Sequence, residues 1–283
     1  QWTDNISEGI KKEFEQFDGE VELRFEYLDT KRIPGEEYFN QLLQFESYKT
    51  QLANIKFEVI ISSDNNALRF IVEHGDRLYP GVPVVFCGVN NFNPSLLGGK
   101  TNITGVLETI DYEATLELMQ RLHPNRRNVT VILDKTPTGD AIKFEVDGVA
   151  TRFENRLNFV YYQDFILSEV PDKIKQLGEN DILYILTFNR DREGSFISYV
   201  DGIQMIKKYS KVPIYGSWDF YFGHGIVGGM ITGGFSQGEQ AAKMAKQILG
   251  GRPPEEIPFV TKSPSQFMFD FKEMDAFGIK PAD

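Results

Sequence analysis

The sequence predicts an α/β chain folded as two doubly wound lobes on parallel sheets. Three observations carry this. Strand-like and helix-like patterns alternate almost without interruption along the 283 residues, which implies parallel strands joined by crossover helices. The strands outnumber those of one ordinary sheet. The alternation also breaks near residues 102–110, dividing the chain in two.

The elements follow in order. Residues 4–18 carry Ile6, Ile10, Phe14 and Phe17 at helical spacing, and residues 21–28 alternate like a strand. A helix is predicted over 36–53, a buried strand over 57–62, a helix from about Asn66 to His74 and a strand over 82–87. Residues 102–108 read as extended, and 111–122 as an amphipathic helix closed by His123-Pro124. Then come a strand at 128–133, a helix at about 138–153, a strand at 159–163 and a helix from about Ser168. A strand at 181–187, a helix at 194–209 and a strand at 212–216 complete that series. Gly225 to Gly234 forms a Gly-rich strand or bend, followed by a helix at 236–249, a strand at 266–271 and a short helix near Met274. The chain opens on a helix, whereas a doubly wound lobe usually begins with a strand. One strand's worth of sequence is therefore expected before Gln1.

Composition narrows the function. A hydrophobic share of 41% supports a substantial core, and no apolar run is long enough to cross a bilayer. A net charge of -11 argues against a nucleic-acid partner, which favours a basic stripe. Cys87 is the single cysteine, so internal disulfides and multi-cysteine metal sites are excluded.

Ligands of open parallel sheets sit beyond the carboxyl ends of the strands. Here those ends are Ser62-Ser63-Asp64-Asn65-Asn66 and Gly88-Val89-Asn90-Asn91, with Trp2-Thr3-Asp4 as a third tip if a strand precedes it. Later come Asp134-Lys135-Thr136-Pro137-Thr138, Thr187-Phe188-Asn189-Arg190-Asp191 and Ser217-Trp218-Asp219-Phe220. Any one tip is adequately explained as a helix cap. Together they carry more polar groups than capping needs, interleaved with Trp2, Phe188, Trp218 and Phe220. That mixture describes a small-molecule pocket. In the first tip, one of Ser63 to Asn65 is expected to cap the following helix while Asp64 and the asparagine pair face a ligand.

Weaker signals are set aside. Gly223 to Gly228 matches G-x-G-x-x-G but runs into an extended Gly-rich stretch, which rejects a dinucleotide site. His74, His123 and His224 lack metal-ligand spacing, and the first two lie near helix C-termini as satisfied or solvated side chains. Cys87 ends an apolar strand and reads as an inert buried thiol. No cofactor or metal is called for, and no nucleophile–base pair supports an enzyme.

The stretches WTDNISEGI, VIISSDNNAL, PVVFCGVNNF, ITGVLE and FMFDFKEMDAFGIKP resemble the ABC-transporter substrate-binding-protein-like family, with its type 1 periplasmic binding-protein fold. The resemblance spans essentially the whole chain and is most similar to extracytoplasmic sensor regions of bacterial histidine kinases. It implies two Rossmann-like lobes joined by three crossovers, near Thr104 to Thr109, Thr232 to Phe235 and Lys262 to Gln266. Lobe 1 would hold residues 1–106 and 235–263, and lobe 2 residues 107–234 and 264–283. The family's ligand contacts map to Trp2, Asp64, Asn65, Asn66, Gly88 and Asn90 on one side. On the other they map to Thr136, Thr138, Asn189, Arg190, Trp218 and Asp219.

The expected function is ligand sensing for a bacterial signalling protein such as a sensor histidine kinase, by capture of a small organic ligand between the lobes. The alternative is a free substrate-binding protein of an ABC transporter. Arg190 is suited to gripping a carboxylate, although an ion pair with Asp191 or Glu193 is the competing use. Asp64 and Asp219 suit an ammonium group, and Trp2, Trp218 or Phe220 an apolar or aromatic body; an amino acid fits this set. The implied location is periplasmic or extracellular, with membrane contact only through segments outside this chain. A second copy of the chain or an ABC permease is the further partner implied.

Overall fold

The computed structural model describes residues 2–28, 40–44, 47 and 56–280. In chain order they form α1 (Trp2–Phe14), β1 (Ile60–Ser63), α2 (Asn65–Leu78), β2 (Val84–Val89), β3 (Ile103–Leu107), α3 (Tyr112–Leu122), β4 (Asn128–Ile132) and α4 (Pro137–Ala150). Then follow β5 (Asn158–Tyr162), α5 (Val170–Lys175), β6 (Asp181–Ile185), α6 (Tyr199–Tyr209), β7 (Ile214–Tyr215), β8 (Gly228–Ile231), α7 (Gly234–Leu249), β9 (Gln266–Phe269) and α8 (Phe271–Ala276). Of the helix predicted over 36–53, residues 40–44 and 47 are helical and the rest lie outside the described residues. The chain divides into two compact units, Gln1–Thr109 with Gly233–Pro264, and Ile110–Thr232 with Ser265–Asp283. It passes between them three times.

In the first unit β1, β2 and β3 form a parallel sheet in that order. Every residue of β2 is buried, as a central strand covered on both faces must be. One face packs on α1 and α7 through Ile6, Ile10, Phe14, Ala241, Ala242, Met244 and Ala245. The other packs Leu68 of α2 against Val84, Phe86 and Ile103. Helices α1 and α7 approach closely because a glycine on each faces the backbone of the other. A Cβ on Gly9 would lie 2.1 Å from the Phe235 carbonyl oxygen, and one on Gly238 would lie 2.1 Å from that of Ile6.

Residues 21–28, expected as a strand, belong to no sheet. Their alternation still has a physical basis, since Leu23 and Phe25 pack on the α1–α7 side of the core. Among the described residues they pair with no strand.

The second unit holds six strands in the order β5-β4-β6-β7-β8-β9. The first five run parallel, and β9 closes the edge antiparallel to β8. Its core is rich in fully buried rings, including Phe153, Phe165, Tyr184, Phe188, Tyr215 and Tyr221. The helix expected from Gly194 begins at Tyr199, capped by the Ser198 hydroxyl, which accepts from the Asp201 N–H. The preceding residues turn back instead, with Arg190 bridged antiparallel to Phe196. Gly194 at φ 85° and the Asp191 carboxylate, which accepts from the Glu193 and Ser195 N–H groups, hold that turn.

Candidate functional site

In the first unit the ends of β1 and β2 and the start of α1 converge. Asp64 follows β1 with φ 74° and ψ 161°, a conformation rare for a residue with a side chain. Its N–H donates to the Cys87 carbonyl at 3.0 Å, which ties the two strand tips together. Gly88, at φ 63°, sits close beside them. A Cβ there would lie 3.3 Å from Asp64 Oδ1 and 3.5 Å from Trp2 Nε1. Trp2, Asp64 and Gly88, distant in sequence, therefore share one small region.

The expected division of labour at this tip needs correction. Helix α2 begins at Asn65, one residue early, and Asp64 at its N-cap makes no side-chain capping bond. Asn65 does not cap either. Its side-chain amide donates to the Asn90 carbonyl at 2.9 Å, and its carbonyl accepts from the Asn90 N–H at 3.1 Å. Asn65 thus braces the second tip. Asn90 in turn donates through Nδ2 to Glu108 at 3.2 Å. Asn66 is exposed in the first turn of α2.

Gln237 of α7 is a tip residue that sequence reasoning missed. It is fully buried. Its Oε1 accepts from the Gly88 N–H at 3.1 Å, and its Nε2 donates to the Leu107 carbonyl and to Ser263 Oγ. No local motif marks it, because all its partners come from other segments. Beneath the tips, the Cys87 thiol is fully buried, and burial pushes its pKa up to about 12. This is the inert thiol expected from the sequence.

In the second unit Asp134, at the end of β4, organises two tips. One carboxylate oxygen accepts from Thr136 Oγ1 at 2.6 Å and the other from the Asn189 N–H at 3.0 Å. Thr136 also caps α4, accepting from the Gly139 N–H. Here the capping explanation accounts for the hydroxyl. Thr138 is exposed in the first turn of α4. Asn189 donates through Nδ2 to the Ile197 carbonyl, at 3.4 Å.

Arg190 is exposed and donates to the Gly194 carbonyl at 3.4 Å. Asp191, weighed as its ion-pair partner, gives its carboxylate to the N–H groups of Leu167, Glu193 and Ser195. The Trp218 ring stacks on Phe220 with centroids 5.9 Å apart, and Phe220 stacks on Tyr199 at 4.1 Å. Both Trp218 and Phe220 are buried in this column. The Asp219 N–H donates to the Thr232 carbonyl, which ties this tip to a point where the chain leaves the unit.

His123 fits the satisfied-histidine reading. It is buried, with Nε2 2.8 Å from Tyr215 Oη.

Parallel sheets whose carboxyl ends carry polar and aromatic tips, in a chain crossing three times between two units, define a binding protein of the type 1 periplasmic class. The chain belongs to the ABC transporter substrate-binding protein family, whose model matches residues 37–283. A curated tyrosine-binding protein of Clostridioides difficile is 22% identical over 182 residues, 63% of this chain. That match takes in about half of the relative's length, 50%.

Two solved structures have similar folds. One is the ligand-free, open form of a substrate-binding protein with adhesive properties from Clostridium difficile. It is 15% identical with a TM-score of 0.72, covering 99% of this chain and 92% of that one. The other is a Streptococcus pneumonia ABC domain in complex with L-Trp. It is 17% identical with a TM-score of 0.61, covering 99% of this chain and 90% of that one. Members of the matched family bind substrates rather than transform them.

Proposed function

We propose that this chain is the substrate-binding protein of an ABC transporter and captures an amino acid, aromatic side chains being preferred. The observation that carries the ligand class is the meeting of Asp64, Trp2 and Gly88. A carboxylate beside an indole, with no side chain at Gly88, suits an ammonium group attached to a flat apolar body. The tyrosine-binding relative and the L-Trp complex support the same class. Asn65, Asn66 and Asn90 are proposed to complete the first unit's contribution. Thr136, Thr138, Asn189, Arg190, Trp218 and Asp219 are proposed for the second, with Arg190 gripping the ligand carboxylate.

The signalling role expected first from the sequence needs an output module that only flanking segments can supply. Family membership supports the transporter reading. An extracytoplasmic location and a permease partner belong to that proposal. Among the described residues no helix is long and apolar enough to cross a membrane.

The test is thermal denaturation of protein unfolded and refolded to remove carried-over ligand, screened against amino acids, nucleobases and small organic acids. A ligand at about 100 times its dissociation constant adds roughly 2.7 kcal/mol. Tyrosine or tryptophan should give the largest shift. A flat response across the panel would refute solute capture, and binding undiminished by Arg190→Ala would refute the carboxylate grip alone.

A further inference from the structure

The loop between β6 and α6 is a short hairpin whose hydrogen bonds fix where two side chains point. The Asp191 N–H donates to the Ser195 carbonyl at 3.1 Å, and the Ile197 N–H donates to the Asn189 carbonyl at 2.9 Å. Between these bonds Arg190 and Phe196 form an antiparallel bridge. A pair framed in this way is of the non-hydrogen-bonded kind. Its side chains leave one face of the ribbon together, about 4.5–5.5 Å apart at Cβ. Their neighbours along the chain leave the other face. The hairpin is also anchored to the loop after β5. The Asp191 carboxylate accepts from the Leu167 N–H at 3.1 Å, and the Arg192 N–H donates to the Phe165 carbonyl at 2.9 Å. Arg190 and Phe196 thus stand side by side on a pinned ribbon, and both are exposed.

An exposed apolar residue is ordinary on its own. Phe196 is set apart by its place. It is 67% exposed, it follows the carboxyl end of β6, where parallel sheets take their ligands, and it adjoins a guanidinium. The other rings of the second unit's tips are engaged already. Phe188 is fully buried, and Trp218 and Phe220 are only 6% and 8% exposed. Those last two stack on each other, and Phe220 stacks on Tyr199 as well. Phe196 is the ring that still presents its surface at this end of the sheet.

We propose that Phe196 is a specificity-determining contact of the second unit, taking the ligand's ring while Arg190 takes its carboxylate. The inference rests on the amino-acid reading above and adds to it a residue that none of the strand tips contains. A short carbon link joins carboxylate to ring in an aromatic amino acid, so two adjacent side chains can meet both ends. The anchored hairpin holds the pair in place before the ligand arrives, which spares the cost of ordering it on binding. Burying the ring against the ligand supplies an apolar contact that an aliphatic side chain reproduces only in part.

The experiment titrates tyrosine and leucine into the refolded 283-residue chain and into Phe196→Ala and Phe196→Trp, by calorimetry. Phe196 is exposed, so neither substitution should move the melting temperature of the ligand-free chain. Phe196→Ala should weaken tyrosine about tenfold and leucine by clearly less, and Phe196→Trp should restore the preference. Unchanged tyrosine affinity in Phe196→Ala overturns the role of Phe196 and leaves amino-acid capture standing. An equal loss for both ligands overturns the specificity role. An unsubstituted chain that binds neither ligand, or leucine as tightly as tyrosine, overturns the aromatic reading and this inference with it.

Discussion

Asn65 and Asn90 hold each other by a reciprocal pair of hydrogen bonds, side chain to backbone, at 2.9 and 3.1 Å. Each ends up on a different strand tip, so the pair sets the spacing between them. Asn65→Ala should cost about 1 kcal/mol, since both bonds are solvent-accessible. Ligand affinity should fall by more than that loss explains, because the Asn90 tip loses its brace. Chemical denaturation and ligand titration on the same variant separate the two effects.

Gly88→Ala tests the meeting point of Trp2 and Asp64. The residue sits at φ 63°, and a Cβ would approach Asp64 Oδ1 to 3.3 Å. Strain and crowding together should destabilise the chain by about 1–2 kcal/mol. Ligand binding should be lost even at temperatures where the variant remains folded, as read by titration calorimetry.

Gln237→Leu keeps the volume and removes three hydrogen bonds. It leaves the buried Gly88 N–H without its Gln237 acceptor. A loss of about 2–4 kcal/mol is expected, since an orphaned buried donor costs its full desolvation. A lowered urea midpoint with an unchanged slope would agree; an unchanged midpoint would contradict it.

His123 gives a pH dependence with a definite sign. Burial, with the nearby Arg126 charge in second place, lowers its pKa from 6.5 to about 4. The fold therefore favours the neutral ring. Its contribution is complete above pH 6.5 and is lost as pH falls from there toward 4. The decline should be on the order of 2 kcal/mol after allowance for partial screening. His123→Gln should flatten the slope while leaving Tyr215 a hydrogen-bonding partner. Melting temperatures at pH 7.5, 5.5 and 4.5 would show this, and an unaltered slope in the variant would exclude His123 as its source.

The sequence by itself determined most of the element types and the parallel character of the sheets apart from the β9 edge. Period-2 and period-3.6 patterning are local, so Ile6, Ile10 and Phe14 announce a buried helix face wherever that face docks. The strand tips were legible for the same reason, since polar runs after apolar ones need no partner to be seen. Tertiary structure alone decided what each tip residue does. Asn65, expected either to cap its helix or to face a ligand, makes its side-chain bonds to Asn90, 25 residues away. Thr136 does cap, while Asp134 beside it gathers two tips. Gln237 reaches Gly88 across 149 residues and left no local mark. Residues 21–28 carry a strand's alternation without a sheet's hydrogen bonds, because pairing needs a neighbour at the right spacing and patterning says nothing of neighbours. A side chain's hydrogen bonds depend on which segments folding sets beside it, and that is a property of the packed chain rather than of any window along it.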